Sequence, residues 1–594
     1  MSVVPGIRRF LSALLLVAAT GVAARTVPAP WQPFPDDIAV LVRRTTPLVP
    51  VSDGGLGASL LLLGEPGDGA TVEVSRDGVP LLAAHRWTDD PWLVGLADLE
   101  ALRYDPWGGR ALDGRGRLDL RTLPADTSGA VVGTAFYKGY HEQYLRRIDY
   151  RSPRAPWELR FAFDEQMDQE GYGYPVTGAV PFAPARDGES RQRRAHTELR
   201  HRDPGGGELR FAYDRFRGER AGLAVYDVDR IQLWSQRASV AWRAADGSAG
   251  IAVYDVSSDV ERDRLRKLEV DRRGLCLDWR LPDRDWDLSL EADAWRLADD
   301  GAGIDWLPAG ETAAARAGTQ SGSLAVGTPD DAPRSWRLAA RWHRQAGWSP
   351  AARAGWRLPV AGGPHLAVQW GGRAPRLDEL WTVDRVGTDD GSWILLPDSG
   401  LDWERLLRAE LRWRGGWRGW RVAVTGAWRR LRDGIGWRDR ATGTGRWANV
   451  VDLDGWRVTA LVSRRFRLAG DAELTWRTAV GDETVHAGVP FALPPHRDDR
   501  LELRWQHAWF EGDGILELAY ALDHRGRMDD PWLPAGAAPL PAVTFQNLLI
   551  GFRLVGVDLS VELRNLTGVR DPVSARAWSD GLDRRWRLRW TFRR

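Results

Sequence analysis

The chain contains almost none of several things. Cys276 is the single cysteine in 594 residues, so an intrachain disulfide framework and a cysteine-based metal site are both excluded. Lysine is nearly missing as well, with only Lys138 and Lys267, so the basic side chains are arginines. The 82 basic and 81 acidic groups leave a net charge of +1, which provides no overall basic field for nucleic acid. After the N-terminus there is no apolar run of the ~20 residues that a spanning helix needs. The sequence has no G-x-S-x-G elbow, no H-E-x-x-H and no phosphate-cradling G-x-x-x-x-G-K, so no catalytic residues are assigned and the chain is read as a non-enzyme. Its ten histidines are scattered, with His196 and His201 the nearest pair, and no D-x-D-x-D-G calcium loop occurs. No metal site and no cofactor are expected, and Asp89-Asp90, Asp389-Asp390 and Asp498-Asp499 read as solvated loop charge. A self-similar repeat of about 40–45 residues, the mark of a β-propeller, is also missing.

What the chain does have is 33 tryptophans together with a mean hydropathy of −0.39. Few architectures are both so aromatic and so hydrophilic. The final stretch shows how the two combine. Trp586, Leu588, Trp590 and Phe592 fall on one face of an extended strand, and Arg585, Arg587, Arg589 and Thr591 on the other. Comparable alternation recurs at Glu158–Phe163, Glu208–Tyr213, Trp286–Ala294, Trp336–Trp342, Leu501–Trp505 and Val557–Arg564. No second layer is encoded to cover so many apolar faces. A closed transmembrane barrel resolves this, because apolar faces meet lipid, polar faces line the lumen and no edge is left unpaired. The fold expected is therefore an all-β membrane protein: a large antiparallel barrel in the outer membrane, closed by the last strand. At roughly 20 residues per strand and connection, the region after residue 125 provides about 22 strands, a size that holds a plug. Gly, Pro and Asp clusters separate the strands, and Leu297–Arg334 and Gly371–Leu401 read as long loops.

The N-terminal part differs in texture. Arg8 and Arg9 precede an apolar run from Phe10 to Ala19, and Val22-Ala23-Ala24 offers a cleavage site, so 1–24 reads as a secretory signal. Residues 25–36 form a Pro-rich periplasmic extension. Residues 37–124 then form a small mixed α/β unit. It has an apolar strand at Leu60–Leu63, an alternating run turning at Asp77-Gly78, a short helix over Leu93–Leu102 and a strand at Arg117–Arg121.

Several segments resemble the TonB-dependent outer-membrane receptors. Gly372-Arg373-Ala374-Pro375-Arg376-Leu377-Asp378-Glu379-Leu380 is similar to the "RAPsldEL" segment of their barrels, and Leu396–Glu404 to the "NPdLkpE" segment that follows it. Ala427–Ile435, Asn449–Val458 and Val561–Thr567 resemble the next strands and the "NLtd" turn before closure. Asp77-Gly78-Val79-Pro80 resembles the "DGvp" hairpin of the family's plug domain, and Leu96–Arg121 a shortened form of its later part, with Asp105-Pro106-Trp107-Gly108-Gly109 in place of the usual "RGP". The resemblance implies a plugged barrel that takes up a scarce extracellular ligand such as a siderophore or a cobalamin. It implies contact with outer-membrane lipid and the barrel-assembly machinery, with Phe592 as the terminal aromatic. It also implies energy coupling by TonB and its inner-membrane complex, through an extended segment near the mature N-terminus. Ile38-Ala39-Val40-Leu41-Val42 sits where that segment belongs, and the alternative reading is the plug's first strand. A haem receptor would carry a histidine between these two barrel motifs, and Arg376–Leu396 has none. The shortened plug leaves open a second reading, a non-energised pore or surface-binding barrel.

Overall fold

A computed structural model describes residues 42, 46–52, 60–63, 72–80, 99–107, 112 and 116–122, and from 130 to 593 the strands with part of their connections. The signal segment, the extension 25–36 and Ile38 to Leu41 lie outside the described residues.

Among the described residues, 22 antiparallel wall strands pair in chain order into a closed ring. The ring closes where the last strand, Asp583–Arg593, pairs with the first, Ala130–Lys138, setting Trp586 opposite Tyr137, Leu588 opposite Ala135 and Phe592 opposite Val131. On its other side Trp586, Leu588 and Trp590 register with Val561, Leu559 and Val557. Leu559 and Val557 are exposed, on the outward face of their strand. Connections at one end are short, for example 155–156, 203–207, 418–419 and 468–470. At the other end they run to 169–189, 372–404 and 565–582. The first strand starts and the last strand ends at the short-turn end, as in outer-membrane barrels, whose long loops face outward.

The alternation seen in sequence sorts the side chains as expected. Strand Ser190–Arg202 buries Arg194, His196, Glu198 and Arg200 toward the lumen. Strand Glu208–Ala221 turns Phe211 and Tyr213 outward and Ala212 and Phe216 inward. Backbone groups are satisfied strand to strand around the ring, so the wall carries no open edge into lipid. The strands Trp420–Ala441 and Thr444–Arg467 are 22 and 24 residues long, well beyond the ~9–11 needed to cross. Their long-loop ends stand clear of the membrane as a ribbon.

Three expectations need correction. Asp498 and Asp499 are not solvated loop charge: both lie in the wall strand Arg497–Trp509, with Asp498 buried beside Arg477 at 3.7 Å and Asp499 paired with Arg497. The stretch 297–334 is not one loop: Leu297 lies inside strand Trp286–Asp299, and a further wall strand, Arg316–Gly327, crosses within it. That strand reads Arg-Ala-Gly-Thr-Gln-Ser-Gly-Ser-Leu-Ala-Val-Gly, so its small residues carry little apolar alternation. Its identity comes from its ladders to both neighbours. Likewise Leu99 to Leu102, expected at the end of a helix, are extended. The 3-residue leucine spacing suits a helix, but pairing Leu102 with Leu120 and Tyr104 with Leu118 builds a strand instead.

Inside the ring sits the small unit. Strands β1 (Val49–Ser52) and β2 (Leu60–Leu63) form a hairpin. Strands β3 (Glu73–Arg76), β4 (Val79–Pro80), β5 (Leu99–Asp105) and β6 (Arg117–Thr122) form a sheet of order β4-β3-β6-β5, with β3 and β6 parallel. Val74 and Leu118 share one face and are buried; Glu73 and Arg117 share the other. One side of the sheet is therefore a core, and the other presents charge to the barrel wall.

Candidate functional site at the plug and barrel interface

The β3–β4 turn brings the first charges to the wall. Asp77 and Gly78 have φ of 51° and 82°, the left-handed pair that a two-residue hairpin requires and that Asp-Gly adopts at low cost. Asp119 on β6 locks the turn by accepting bonds from the Gly78 amide and the Ser75 hydroxyl, both at 2.9 Å. Val79 and Pro80 follow, buried in β4. Held this way, Asp77 pairs with Arg210 at 2.7 Å and Arg76 with Asp214 at 3.3 Å. Both partners belong to the wall strand Glu208–Ala221. Arg210 also reaches Glu198 at 2.5 Å, and Asp214 is shared with Arg237 and with His196 Nδ1 at 2.7 Å.

A second contact follows along the sheet. Arg272 donates to Glu73 and to Asp293, each at 3.0 Å, with its guanidinium 4.2 Å from the Trp295 ring and 5.7 Å from Tyr254. The Tyr254 hydroxyl donates to Asp293. Arg117 on β6 pairs with Glu291 at 3.2 Å. Burial works against its charge, but Glu291 and Glu73 outweigh that and hold the Arg117 pKa well above the usual arginine value. These are plug-to-wall ion pairs in which plug groups share wall partners, an arrangement in which one contact can be exchanged for another.

The opposite wall grips the unit differently. Trp107, 2% exposed, lies under three guanidiniums: Arg408 at 4.6 Å, Arg353 at 4.7 Å and Arg412 at 5.9 Å from its ring. Wall donors take the neighbouring backbone carbonyls: Arg408 that of Pro106 at 3.1 Å, Gln369 that of Trp107 at 3.3 Å and Arg341 that of Leu112 at 2.8 Å. The Leu112 side chain fills a niche of Ala325, Ala339 and Ala351. The Asp105–Trp107 segment is thus a wedge with tryptophan at its tip.

Above this lies the Arg373 segment, which opens the long connection 372–404. Arg373 makes a bidentate pair with Glu379 (2.8 and 2.9 Å) and reaches Glu404 at 3.0 Å. Glu379 also accepts the Arg376 amide at 2.7 Å, so it caps the short helix α1 (Leu377–Trp381). Glu404 accepts the Ile435 amide at 2.8 Å. Ala374 and Pro375 are buried, and Asp378 lies within α1. A Cβ at Gly372 would fall 1.6 Å from the Glu404 carbonyl oxygen, so only glycine fits there. The two segments, Gly372–Leu380 and Leu396–Glu404, thus meet at one ionic staple. Burial would raise the Glu379 pKa, but the Arg373 charge dominates and lowers it; at Glu404 burial wins and the pKa is raised.

No family model and no curated protein matches the sequence. Solved structures do match. The siderophore receptor PirA from Acinetobacter baumannii aligns with a TM-score of 0.74 at 11% identity, covering 94% of this chain and 96% of that one. The ferric enterobactin receptor PfeA from Pseudomonas aeruginosa gives 0.73 at 14%, covering 94% and 97%. The FrpB iron transporter from Neisseria meningitidis gives 0.69 at 10%, covering 96% and 99%. This chain has the siderophore-receptor fold. The likeness runs over nearly the whole of both chains, so the shared fold takes in the inner sheet as well as the ring.

In the sequence the Asp77–Pro80 hairpin, the Arg373 segment and the last strand stand out by pattern or resemblance, and the ion pairs of the interface do not. Arg210, Arg272, Arg341, Arg353 and Arg408 look alike in sequence, each one inward arginine among the many on the wall strands. The visible signal was Trp107 between Pro106 and Gly108-Gly109, a bulky ring on a bendable stretch. Of the candidate coupling segment, Val42 is described: it is buried, and its carbonyl accepts the Thr46 amide at 2.9 Å and hydroxyl at 2.8 Å, a helical turn. Among the described residues no group of three or more His, Cys, Asp or Glu is placed to hold a metal ion.

Proposed function

We propose that the protein is an energised outer-membrane importer of the TonB-dependent kind, which takes a ferric siderophore or a similar scarce ligand through the plugged barrel. The observation that carries this is a plug sheet fastened inside a closed ring by shared ion pairs on one wall and a single aromatic wedge on the other. A plug with partners that can be exchanged moves without leaving bare charge. The similar structures include siderophore receptors and an iron transporter, which supports the ligand class. Ile38–Val42 is the proposed TonB contact. Its C-terminal end is tied down by the Val42 turn, so release of that turn accompanies pairing with a TonB strand. The periplasmic domain of TonB is expected to capture the mature chain, with capture lost when 38–42 are deleted. A deletion strain complemented by the gene is expected to regain ferric-siderophore uptake. No TonB capture together with uptake that persists without TonB would overturn the energised reading.

The buried Val42 turn and the short plug favour a second reading, a barrel without coupling. Planar-bilayer recording separates the two: a constantly open channel supports the pore, and a silent barrel supports the plugged importer.

A further inference from the structure

At the short-turn end, the outer surface carries a feature that uptake does not use. Strands Arg405–Trp417, Trp420–Ala441, Thr444–Arg467 and Asp471–Ala487 set four positions abreast: Trp417 opposite Trp420, Trp420 opposite Arg464, and Arg464 opposite Leu474. Two residues further along, the same face carries Trp476, which pairs with Leu501, and both are exposed toward lipid. The row is therefore on the outward face, at its lower margin. Trp417 is 66% exposed.

The turn joining the first two strands is Arg418-Gly419, with φ of 48° and 82°. Such turns favour Asn, Asp or Gly at their first position, and an arginine there carries a steric cost that those residues avoid. The Arg418 guanidinium lies 5.0 Å from the Trp417 ring, and that of Arg464 lies 5.3 Å from Trp420. Among the described residues, neither arginine has a carboxylate within ion-pair distance. The contrast is with Arg421 and Arg465, on the lumen side of the same strands, which share Glu473 at 3.4 and 3.3 Å. Two uncompensated cations thus lie on two tryptophans at the depth where bilayer meets water.

We propose that this row is a binding site for an anionic phospholipid of the membrane leaflet on the short-turn side. Arg418 and Arg464 take the headgroup phosphate, and Trp417 and Trp420 lie along the glycerol and upper chains. A guanidinium suits phosphate because its planar donors match two oxygens at once. The occupant is a lipid because only a molecule whose tails continue up the apolar wall meets both the cations and the exposed rings. The proposal needs only the barrel, so it stands or falls separately from the uptake reading.

The test uses the full-length protein in nanodiscs of equal parts phosphatidylglycerol and phosphatidylcholine, followed by detergent extraction and native mass spectrometry of retained lipid. The wild type is expected to keep phosphatidylglycerol over phosphatidylcholine by more than tenfold. Each arginine near the surface multiplies occupancy by about fivefold, so Arg418→Asn with Arg464→Gln is expected to lower that ratio by roughly 25-fold. Asparagine suits the turn backbone, and heat-modified gel mobility verifies that the variant is folded. The single Arg418→Asn variant gives the intermediate ratio. Arg421→Gln, which removes the same charge on the lumen side, leaves the ratio unchanged. No preference in the wild type, a preference that survives the double change, or an equal loss in Arg421→Gln would each overturn the proposal.

Discussion

Trp107 gives the sharpest test of how the plug is held. Trp107→Ala removes a ring that is 2% exposed and contacted by the guanidiniums of Arg353, Arg408 and Arg412. Truncating a buried tryptophan costs about 3–5 kcal/mol, and cation–π contact accounts for about 0.5–2 kcal/mol of that per desolvated pair. The barrel wall is intact without this ring, so the loss falls on plug docking. About 4 kcal/mol shifts the docked-to-undocked ratio by roughly a thousandfold. The assay pairs single-barrel conductance in a planar bilayer with limited proteolysis of residues 99–122. The variant is expected to show channel openings far more often than wild type and faster cleavage of that segment, at unchanged barrel melting temperature. Trp107→Phe keeps volume and some ring contact, so it falls between the two. If Trp107→Ala is as silent and as protected as wild type, the wedge does not hold the plug and the ion pairs on the other wall suffice.

Other consequences are measurable in purified protein. Arg272→Ala removes the cation shared by Asp293 and Glu73, leaving Glu73 beside Arg117 at 3.9 Å, and is expected to destabilise by about 3–5 kcal/mol, whereas Glu73→Gln, which leaves Arg272 paired with Asp293, costs about 1 kcal/mol. Thermal unfolding in detergent distinguishes them. In the Arg373 staple the two acids have opposite signs. The Glu379 pKa is lowered, so its stabilisation is present above the unfolded-state pKa and is lost as pH falls through the folded value. The Glu404 pKa is raised, so its contribution is full below the unfolded-state value and is lost as pH rises through the folded one. Glu379→Gln is therefore expected to lower stability at pH 7 while Glu404→Gln is neutral or stabilising, and equal losses for both would contradict the assignment. Leu324, 50% exposed on strand Arg316–Gly327, faces lipid; Leu324→Arg is expected to cost about 2–4 kcal/mol of barrel stability in bilayers, and no effect would remove that strand from the wall.

The sequence by itself determined the class of object. Period-two alternation, tryptophan excess and the lack of any spanning helix leave a wet-inside barrel as the solution, and chain length sets its size near the 22 strands found. Local patterns of this kind are legible because each strand reports its own two faces. The Asp77-Gly78 turn was legible for a similar reason, since its residue types are dictated by nearby backbone geometry, whereas the segments carrying Arg373, Glu379 and Glu404 stood out only by resemblance and their meeting in one staple was decided by the fold. What only the tertiary structure decided is which inward charge meets which. Asp77 with Arg210, Glu73 with Arg272, and Trp107 with Arg353 and Arg408 are separated by more than a hundred residues, and nothing local selects one lumen arginine over another. Strand Arg316–Gly327 was hidden for the same physical reason, since small residues carry no face of their own and only ladders to both neighbours place them. Ring closure sets every register at once, and that global constraint turns interchangeable arginines into a specific grip on the plug.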